Sequence, residues 1–128
     1  MNAVLVALSL GLLISSFAEE KPAVDVAFAD AKRNAQRPGG QAFQAAVGKA
    51  FGAAYGSKVS ECAKRVKKPD LRDFELLVKL SINGRIEDAL VRPDTNLAVC
   101  LREELTDGSL PAPETNGYWV RIGLKLKR

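Results

Sequence analysis

The sequence has no histidine and only two cysteines, Cys62 and Cys100, among its 128 residues. Without histidine it has no Ser-His or Cys-His nucleophile pair, no imidazole acid or base and no usual catalytic zinc site. The two cysteines lack the C-x-x-C spacing that activates a thiol, and they do not complete a tetrahedral zinc shell by themselves. These absences predict a protein that is not an enzyme and that holds no metal or other cofactor.

Adjacent acidic residues are the remaining route to catalysis. Glu87 is followed by Asp88, and Glu103 by Glu104, and a pair of carboxylates can hydrolyse a glycosidic bond. Neighbouring residues on a helix do not face each other, however, and acids are common on protein surfaces. We therefore interpret both pairs as solvent-exposed charge.

Charge is also absent from residues 1–18. A long apolar run there precedes Ser16 and Ala18, small residues that suit the −3 and −1 positions of signal-peptidase cleavage. The pattern predicts a signal peptide over residues 1–18, a mature chain from Glu19, and an exported protein that is periplasmic or secreted. The alternative is an uncleaved anchor, although about 16 apolar residues are fewer than the ~20 that a spanning helix needs.

Export would make a single disulfide the natural state of Cys62 and Cys100, because an even number of cysteines in an oxidising compartment usually pairs. In the chain-entropy model, closing a loop of about 39 residues corresponds to roughly 4 kcal/mol. Two buried free thiols are the alternative.

The composition, 47% hydrophobic and 27% charged, is that of one small globular domain. Residues 19–40 end at a Pro-Gly-Gly breaker and predict a lead-in segment, either a short helix or mobile, outside the core. Residues 41–68 predict a helix, because apolar residues recur every three or four positions. The residues of this stripe are Phe43, Val47, Phe51, Tyr55, Val59, Cys62 and Val66.

Gly48, Gly52 and Gly56 repeat every four residues beside that stripe. In a membrane such a repeat would be a helix-pairing face, but the segment is too polar to span a bilayer. Close backbone packing, or a helix break at Gly56 and Ser57, is the preferred interpretation. Each glycine destabilises a helix by roughly 1 kcal/mol relative to alanine, and the sequence supplies no specific reason for the three.

Two strands are predicted to meet at Asn83 and Gly84, which favour the positive φ angles of a type I′ hairpin turn. From Phe74 to Ile82 every second residue is apolar, which indicates a strand with one buried face. A two-residue turn would direct Ile86 to the wrong face of the sheet. The sequence therefore predicts either a bulge around Glu87 and Asp88 or a longer loop that includes Ile82.

A second helix is predicted after the N-cap candidates Asp94, Thr95 and Asn96, and a last strand runs from Tyr118 to Leu126 with strict alternation. The order is helix, strand, strand, helix, strand. We predict an α+β fold in which two helices cover one face of a three-stranded antiparallel sheet, and a disulfide joins the two helices.

The order and spacing of these elements resemble the C-terminal domain of the TonB family, most closely the cysteine-bearing variant of myxobacterial AgmX/PglI-type proteins. The matching landmarks are Cys62, Gly84, Ile86, Ala89, Val91, Leu97, Cys100, Leu101, Leu110, Pro111 and Pro113. The resemblance covers about residues 56–128, and we expect the TonB-like domain to occupy residues 41–128. It implies a periplasmic protein without catalysis, in which the last strand lies at a sheet edge and takes up an extended peptide by strand addition. TonB has a membrane anchor joined to a long proline-rich spacer, whereas this chain is expected to have a cleaved signal peptide and a short lead-in segment over residues 19–40. We therefore expect peptide binding or scaffolding rather than energy transduction.

The first functional hypothesis is therefore a binding module for a peptide or protein of the cell envelope. A second copy of the chain is a further candidate partner, which would form a homodimer through the same edge. Trp119 is the expected anchor, unless it packs against the N-terminal segment. The predicted peptide-binding edge consists of Tyr118, Trp119, Val120, Arg121, Ile122, Leu124 and Leu126.

The second hypothesis is electrostatic attachment to an anionic lipid or polysaccharide surface, in keeping with a net charge of +4. The predicted basic patch consists of Lys64, Arg65, Lys67, Lys68, Lys125, Lys127 and Arg128. The alternative for the first four is that cations at a helix C-terminus complement its dipole. No aromatic residues are interleaved with these charges, and export argues against nucleic acid as a partner.

Overall fold

The computed structural model describes residues 23–126, so the predicted signal peptide lies outside the described residues. Within this range the chain forms three helices and one three-stranded antiparallel sheet, and no helix is long and apolar enough to cross a bilayer. The elements are α1 (Ala23–Gln36), α2 (Gly40–Arg65), β1 (Phe74–Leu80), β2 (Ile86–Arg92), α3 (Asn96–Glu104) and β3 (Tyr118–Leu124). The predicted α+β class and the order of its five elements are confirmed.

The sheet has the strand order β2-β1-β3, which places β1 in the centre. The main core lies between one face of the sheet and the helices α2 and α3, as the apolar stripes predicted. Alternate residues of β1 and β3 point into it, because side chains along a strand alternate between the two faces. The fully buried members include Leu76, Val78 and Leu80 of β1, Val47 and Cys62 of α2, and Leu97 and Leu101 of α3.

The opposite face of the sheet is also covered, although the sequence predicts helices on one face only. Helix α1 lies there and buries Ala27 and Ala31 against Leu77 of β1, with Trp119 packed at the side of this second cluster. The N-terminal segment is therefore helical from Ala23, and it belongs to the core rather than lying outside it. The central strand is consequently buried on both faces.

The turn between β1 and β2 is longer than the predicted two-residue type I′ turn. The Ser81 N–H donates to the Arg85 carbonyl, so three residues separate the paired ends. Only Gly84 of these three has a positive φ, +84°, whereas a type I′ turn requires two such residues. Glycine is needed here, since a Cβ would lie 2.2 Å from the Leu110 carbonyl oxygen.

Both irregularities foreseen for the second strand are present. The loop takes in Ile82, whose exposed fraction is 53%, so this residue does not join the buried face. The pairing then shifts between Lys79 opposite Asp88 and Leu80 opposite Ile86, which leaves Glu87 as an extra residue on β2. The bulge returns Val91 to a position opposite Leu76 in the core.

The predicted disulfide between Cys62 and Cys100 is present and joins α2 to α3. Their Cα atoms lie 5.8 Å apart, a normal separation for a bridged pair. Cys62 is completely buried, whereas Cys100 lies at the margin of the core. The bond therefore ties together the two helices that cover this face of the sheet.

Thr95 is the N-cap of α3, one of the three candidates that the sequence offered. Its Oγ1 accepts a hydrogen bond from the Ala98 N–H at 3.1 Å, and the residue is buried. We expect Thr95→Ala to lower the free energy of unfolding by about 1 kcal/mol, because a helix N–H loses its acceptor. Urea denaturation would measure the change. Thr106→Ala, at an exposed position, is the matched control, and equal losses in the two variants would contradict the capping role.

Candidate functional site

β3 is an edge strand, since within residues 23–126 it pairs with β1 and has no strand on its other side. Three side chains of the predicted peptide-binding edge, Tyr118, Val120 and Ile122, point into the main core and are buried. Tyr118 and Val120 are therefore not available to a partner, and Ile122 offers a partner only the 7% of its surface that stays exposed. The edge can offer main-chain groups and the side chains near its C-terminal end.

Two carbonyl groups along this edge already accept hydrogen bonds from helix side chains. Asn34 of α1 donates through Nδ2 to the Trp119 oxygen at 3.0 Å, and Gln44 of α2 donates through Nε2 to the Arg121 oxygen. Since neither donor belongs to β1, both carbonyls point away from the sheet. The first half of the edge is thus closed by the two helices.

The second half of the edge remains open. Hydrogen-bonding directions alternate along an antiparallel strand, so the main-chain N–H and C=O of Gly123 point outward like those of Trp119 and Arg121. The described residues end at Leu126, whose N–H points toward the β1 side and donates to Asp73 at 2.9 Å. Residues 123–125 are therefore the part of the edge where another strand could pair.

Trp119 does not project from the sheet as a free anchor. It packs with Leu77 and the buried alanines of α1, so the alternative that it packs against the N-terminal segment is confirmed. The neighbouring Tyr118 hydroxyl donates to the Asn34 carbonyl at 3.3 Å. Burial, followed by the nearby Glu114 carboxylate, raises the pKa of Tyr118 above its usual value. Both aromatic residues attach α1 to the sheet.

A groove of about 410 Å³ runs between α2 and the C-terminal half of β3. The wall formed by β3 and the residues after it includes Ile122, Leu124 and Leu126, the last two being partly buried residues packed against the core. Phe51 and Val59 of α2 add apolar surface. The remaining helical residues of the groove are Gln44, Gly48, Gly52 and Gly56.

The three glycines of α2 do not serve close packing. A Cβ built on Gly48, Gly52 or Gly56 meets no atom within 4 Å. The helix also continues through Gly56 to Arg65 without a break. Both sequence-based explanations of the repeat are therefore wrong. The glycines instead keep one wall of the groove free of side chains, beside the open part of the β3 edge.

A second cavity, of about 580 Å³, lies around Gly123 on the other face of the sheet. Its lining includes Glu75, Arg92, Arg121 and Lys125. Arg121 Nε lies 2.9 Å from one oxygen of Glu75, and Arg92 Nη2 lies 3.6 Å from the other. The Arg92 guanidinium also stacks over the Phe28 ring of α1, 4.1 Å from its centre. Five of the nine residues that line this cavity are charged, whereas only Arg121 and Lys125 are charged among the twelve that line the groove.

The other edge of the sheet, along β2, is protected against pairing. It carries the bulge at Glu87, and both Glu87 and Asp88 are exposed. Asp88 Oδ1 also accepts the Ala89 N–H at 2.8 Å, which occupies a main-chain donor. Bulges and charged residues are the devices by which proteins prevent edge-to-edge association. The β2 edge is therefore less able than the β3 edge to pair with a further strand.

The structure divides the predicted basic patch. Lys64, Lys67 and Lys68 are exposed at the end of α2, whereas Arg65 pairs with Glu104 and lies 3.2 Å from the Cys100 sulfur. Lys125 is exposed and lines the groove. Lys127 and Arg128 lie outside the described residues.

Comparison with known proteins gives no relative: no protein-family model, curated protein or solved structure matches this chain. The resemblance to the TonB C-terminal domain therefore stays a prediction.

Proposed function

We propose that the protein is a non-catalytic binding module of the cell envelope, periplasmic or secreted, that takes up an extended peptide by strand addition. The peptide pairs with β3 at residues 123–125 and lies in the groove beside α2. The observation that carries this proposal is the row of three glycines, which keeps the groove open next to residues 123–125, the unoccupied part of this edge within the described chain.

The energetics of the glycines support a binding role. Each glycine inside a helix lowers stability by roughly 1 kcal/mol relative to alanine. Here the lost stability is not recovered through packing, because open space lies where each Cβ would be. Glycine has no side chain, so it allows another backbone to approach the helix closely, and this would explain why glycine is present at these positions. An extended guest chain would supply that backbone.

The two edges of the sheet also favour β3. In strand addition, main-chain hydrogen bonds provide affinity and side-chain pockets provide specificity. The β2 edge carries the bulge at Glu87, and its Ala89 N–H is already bonded. The cavity beside this edge is smaller, about 300 Å³, and its lining includes the acids Glu87, Asp88 and Glu103. Gly123 offers outward main-chain groups with cavities on both sides.

Filling the groove tests the proposal. We expect Gly52→Leu to abolish binding, because the new side chain occupies the space that a guest needs without meeting any atom at its Cβ. Ala54→Leu, an exposed position of the same helix that does not line the groove, is the matched control. The full mature chain and both variants would be used to capture proteins from an envelope extract at low and at high salt. Hydrogen exchange would then be measured on each complex.

The expected result is a discrete envelope protein held at high salt by the wild type and the control, with slowed exchange at Gly123. Equal capture by Gly52→Leu, or an unprotected Gly123 amide in the complex, would contradict strand addition at this site. Recovery of bulk anionic material alone, lost at high salt, would favour the electrostatic alternative. Attraction of that kind is screened within about 10 Å at roughly 0.1 M salt.

A further inference from the structure

Gly123 lies between two different cavities, and these cavities determine which side chains of a bound peptide are favoured. Gly123 lines both the groove beside α2 and the charged cavity on the opposite face of the sheet. Successive side chains of a strand point to opposite faces. A guest strand paired with β3 would therefore direct alternate side chains into two environments of different chemistry.

On the α2 face, the guest residues would lie beside Ile122 and Leu124. Cross-strand neighbours on one face are about 5 Å apart at Cβ, close enough for side-chain contact. Phe51 contributes further apolar surface, and the glycine wall at Gly52 leaves room for a branched side chain. Apolar guest residues are favoured on this face, because they would cover the apolar surface of Ile122, Leu124 and Leu126 and remove it from water.

On the other face, the guest residue opposite Gly123 would lie between Arg121 and Lys125. Gly123 has no side chain, and a Cβ there would meet no atom within 4 Å, so a side chain of the guest can occupy this space. Arg121 is partly neutralised by Glu75, which also contacts Arg92. Lys125 takes part in no ion pair among the described residues.

The local charge is positive even when every acid is counted. The cavity is lined by the carboxylates of Asp73 and Glu75 and by the cations Arg92, Arg121 and Lys125. Asp73 also accepts the Leu126 N–H, so one of its oxygens is already used. An acidic side chain opposite Gly123 would complement the remaining positive charge, whereas a basic one would be repelled.

We infer that the preferred guest is an extended segment with the pattern apolar, acidic, apolar, whose acidic residue lies opposite Gly123. This inference rests on the proposed function and specifies the peptide that the same site takes. The apolar residues occupy the groove beside α2, and the carboxylate lies near Lys125 and Arg121.

Two capped synthetic peptides provide the probe: Thr-Thr-Val-Glu-Val-Thr-Thr, and the same peptide with lysine in place of glutamate. Each would be titrated into the isotopically labelled full chain, with the Gly123 amide followed by NMR. We expect the glutamate peptide to bind about tenfold more tightly, because attraction by two cations is replaced by repulsion. Lys125→Glu should remove most of this preference, and Lys64→Glu, an equal charge change at an exposed position outside both cavities, should leave it intact.

The outcomes separate this inference from the function on which it rests. Equal binding of both peptides, with the Gly123 amide shifted by each, would overturn the charge preference and leave strand addition standing. A Gly123 amide that neither peptide moves would count against strand addition itself. A preference for glutamate that survives Lys125→Glu would overturn the assignment of the acidic position.

Discussion

Removal of the disulfide is expected to lower the free energy of unfolding by about 4 kcal/mol. Cys62 and Cys100 are separated by 38 positions, and the bond restricts the unfolded chain over that length. It also joins α2 to α3, the two helices that cover the main core. Urea denaturation of a Cys62→Ala and Cys100→Ala double variant would measure the loss. An effect of this size is a large part of the stability of a small domain.

Reduction of the wild-type protein is the control, because it opens the loop without removing any side-chain volume from the core. Reduced wild type should show the loss due to the opened loop alone, and the double variant should lose somewhat more, because Cys62→Ala also removes a buried sulfur atom. The dependence of unfolding free energy on urea should become steeper in both, since an unfolded chain without the bond exposes more surface. A loss below about 1 kcal/mol would contradict the chain-entropy account and would show that helix packing alone fixes the two helices.

The fold was largely predictable where local signals carry the structure. Apolar periodicity located α2, β1 and β3, and the N-cap candidates before Asn96 marked the start of α3. The two cysteines fell on the buried sides of two predicted helices, so their pairing agreed with the packing. The helices and strands depend on residues that are close in sequence. The disulfide could be predicted because two cysteines allow only one pairing within the chain.

The layer formed by α1 was missed, although a signal for it exists. Leu77 interrupts the alternation of β1, and Leu90 lies directly opposite it on β2. Trp119 of β3 lies on the same face, so the three strands together present an apolar patch on the side expected to face solvent. Val24, Ala27 and Phe28 of α1 begin a helical stripe of the matching kind. The match between helix and patch becomes visible only when strand pairing is known.

The candidate site was predictable in outline and not in detail. Apolar alternation predicted the strand β3, and the resemblance to the TonB C-terminal domain implied that this strand lies at a sheet edge. The occupation of that edge by Asn34 and Gln44 depends on side chains about 80 positions away, which no local pattern reveals. The glycine repeat was visible in the sequence, yet whether each glycine faces a neighbouring backbone or an open groove is a property of the tertiary structure.

Replacing Gly48, Gly52 and Gly56 together with alanine is expected to raise the free energy of unfolding by about 2–3 kcal/mol. Alanine is the better helix former by roughly 1 kcal/mol per position, and the added methyl groups meet no atom. Urea denaturation would measure the gain. Gly84→Ala is the contrasting control, because its φ of +84° and the Leu110 oxygen 2.2 Å from the new Cβ should make that change destabilising.

The same triple variant distinguishes a structural from a functional reason for the glycines. Three methyl groups narrow the groove, so affinity for an extended guest should fall while stability rises, as expected where function is retained at the expense of stability. The glutamate peptide described above, titrated against both proteins, would measure the affinity. A stabilised variant that binds as well as the wild type would show that the glycines do not serve strand addition. A destabilised variant would show instead that their backbone is approached by another part of this chain, and the groove would then be an internal packing site.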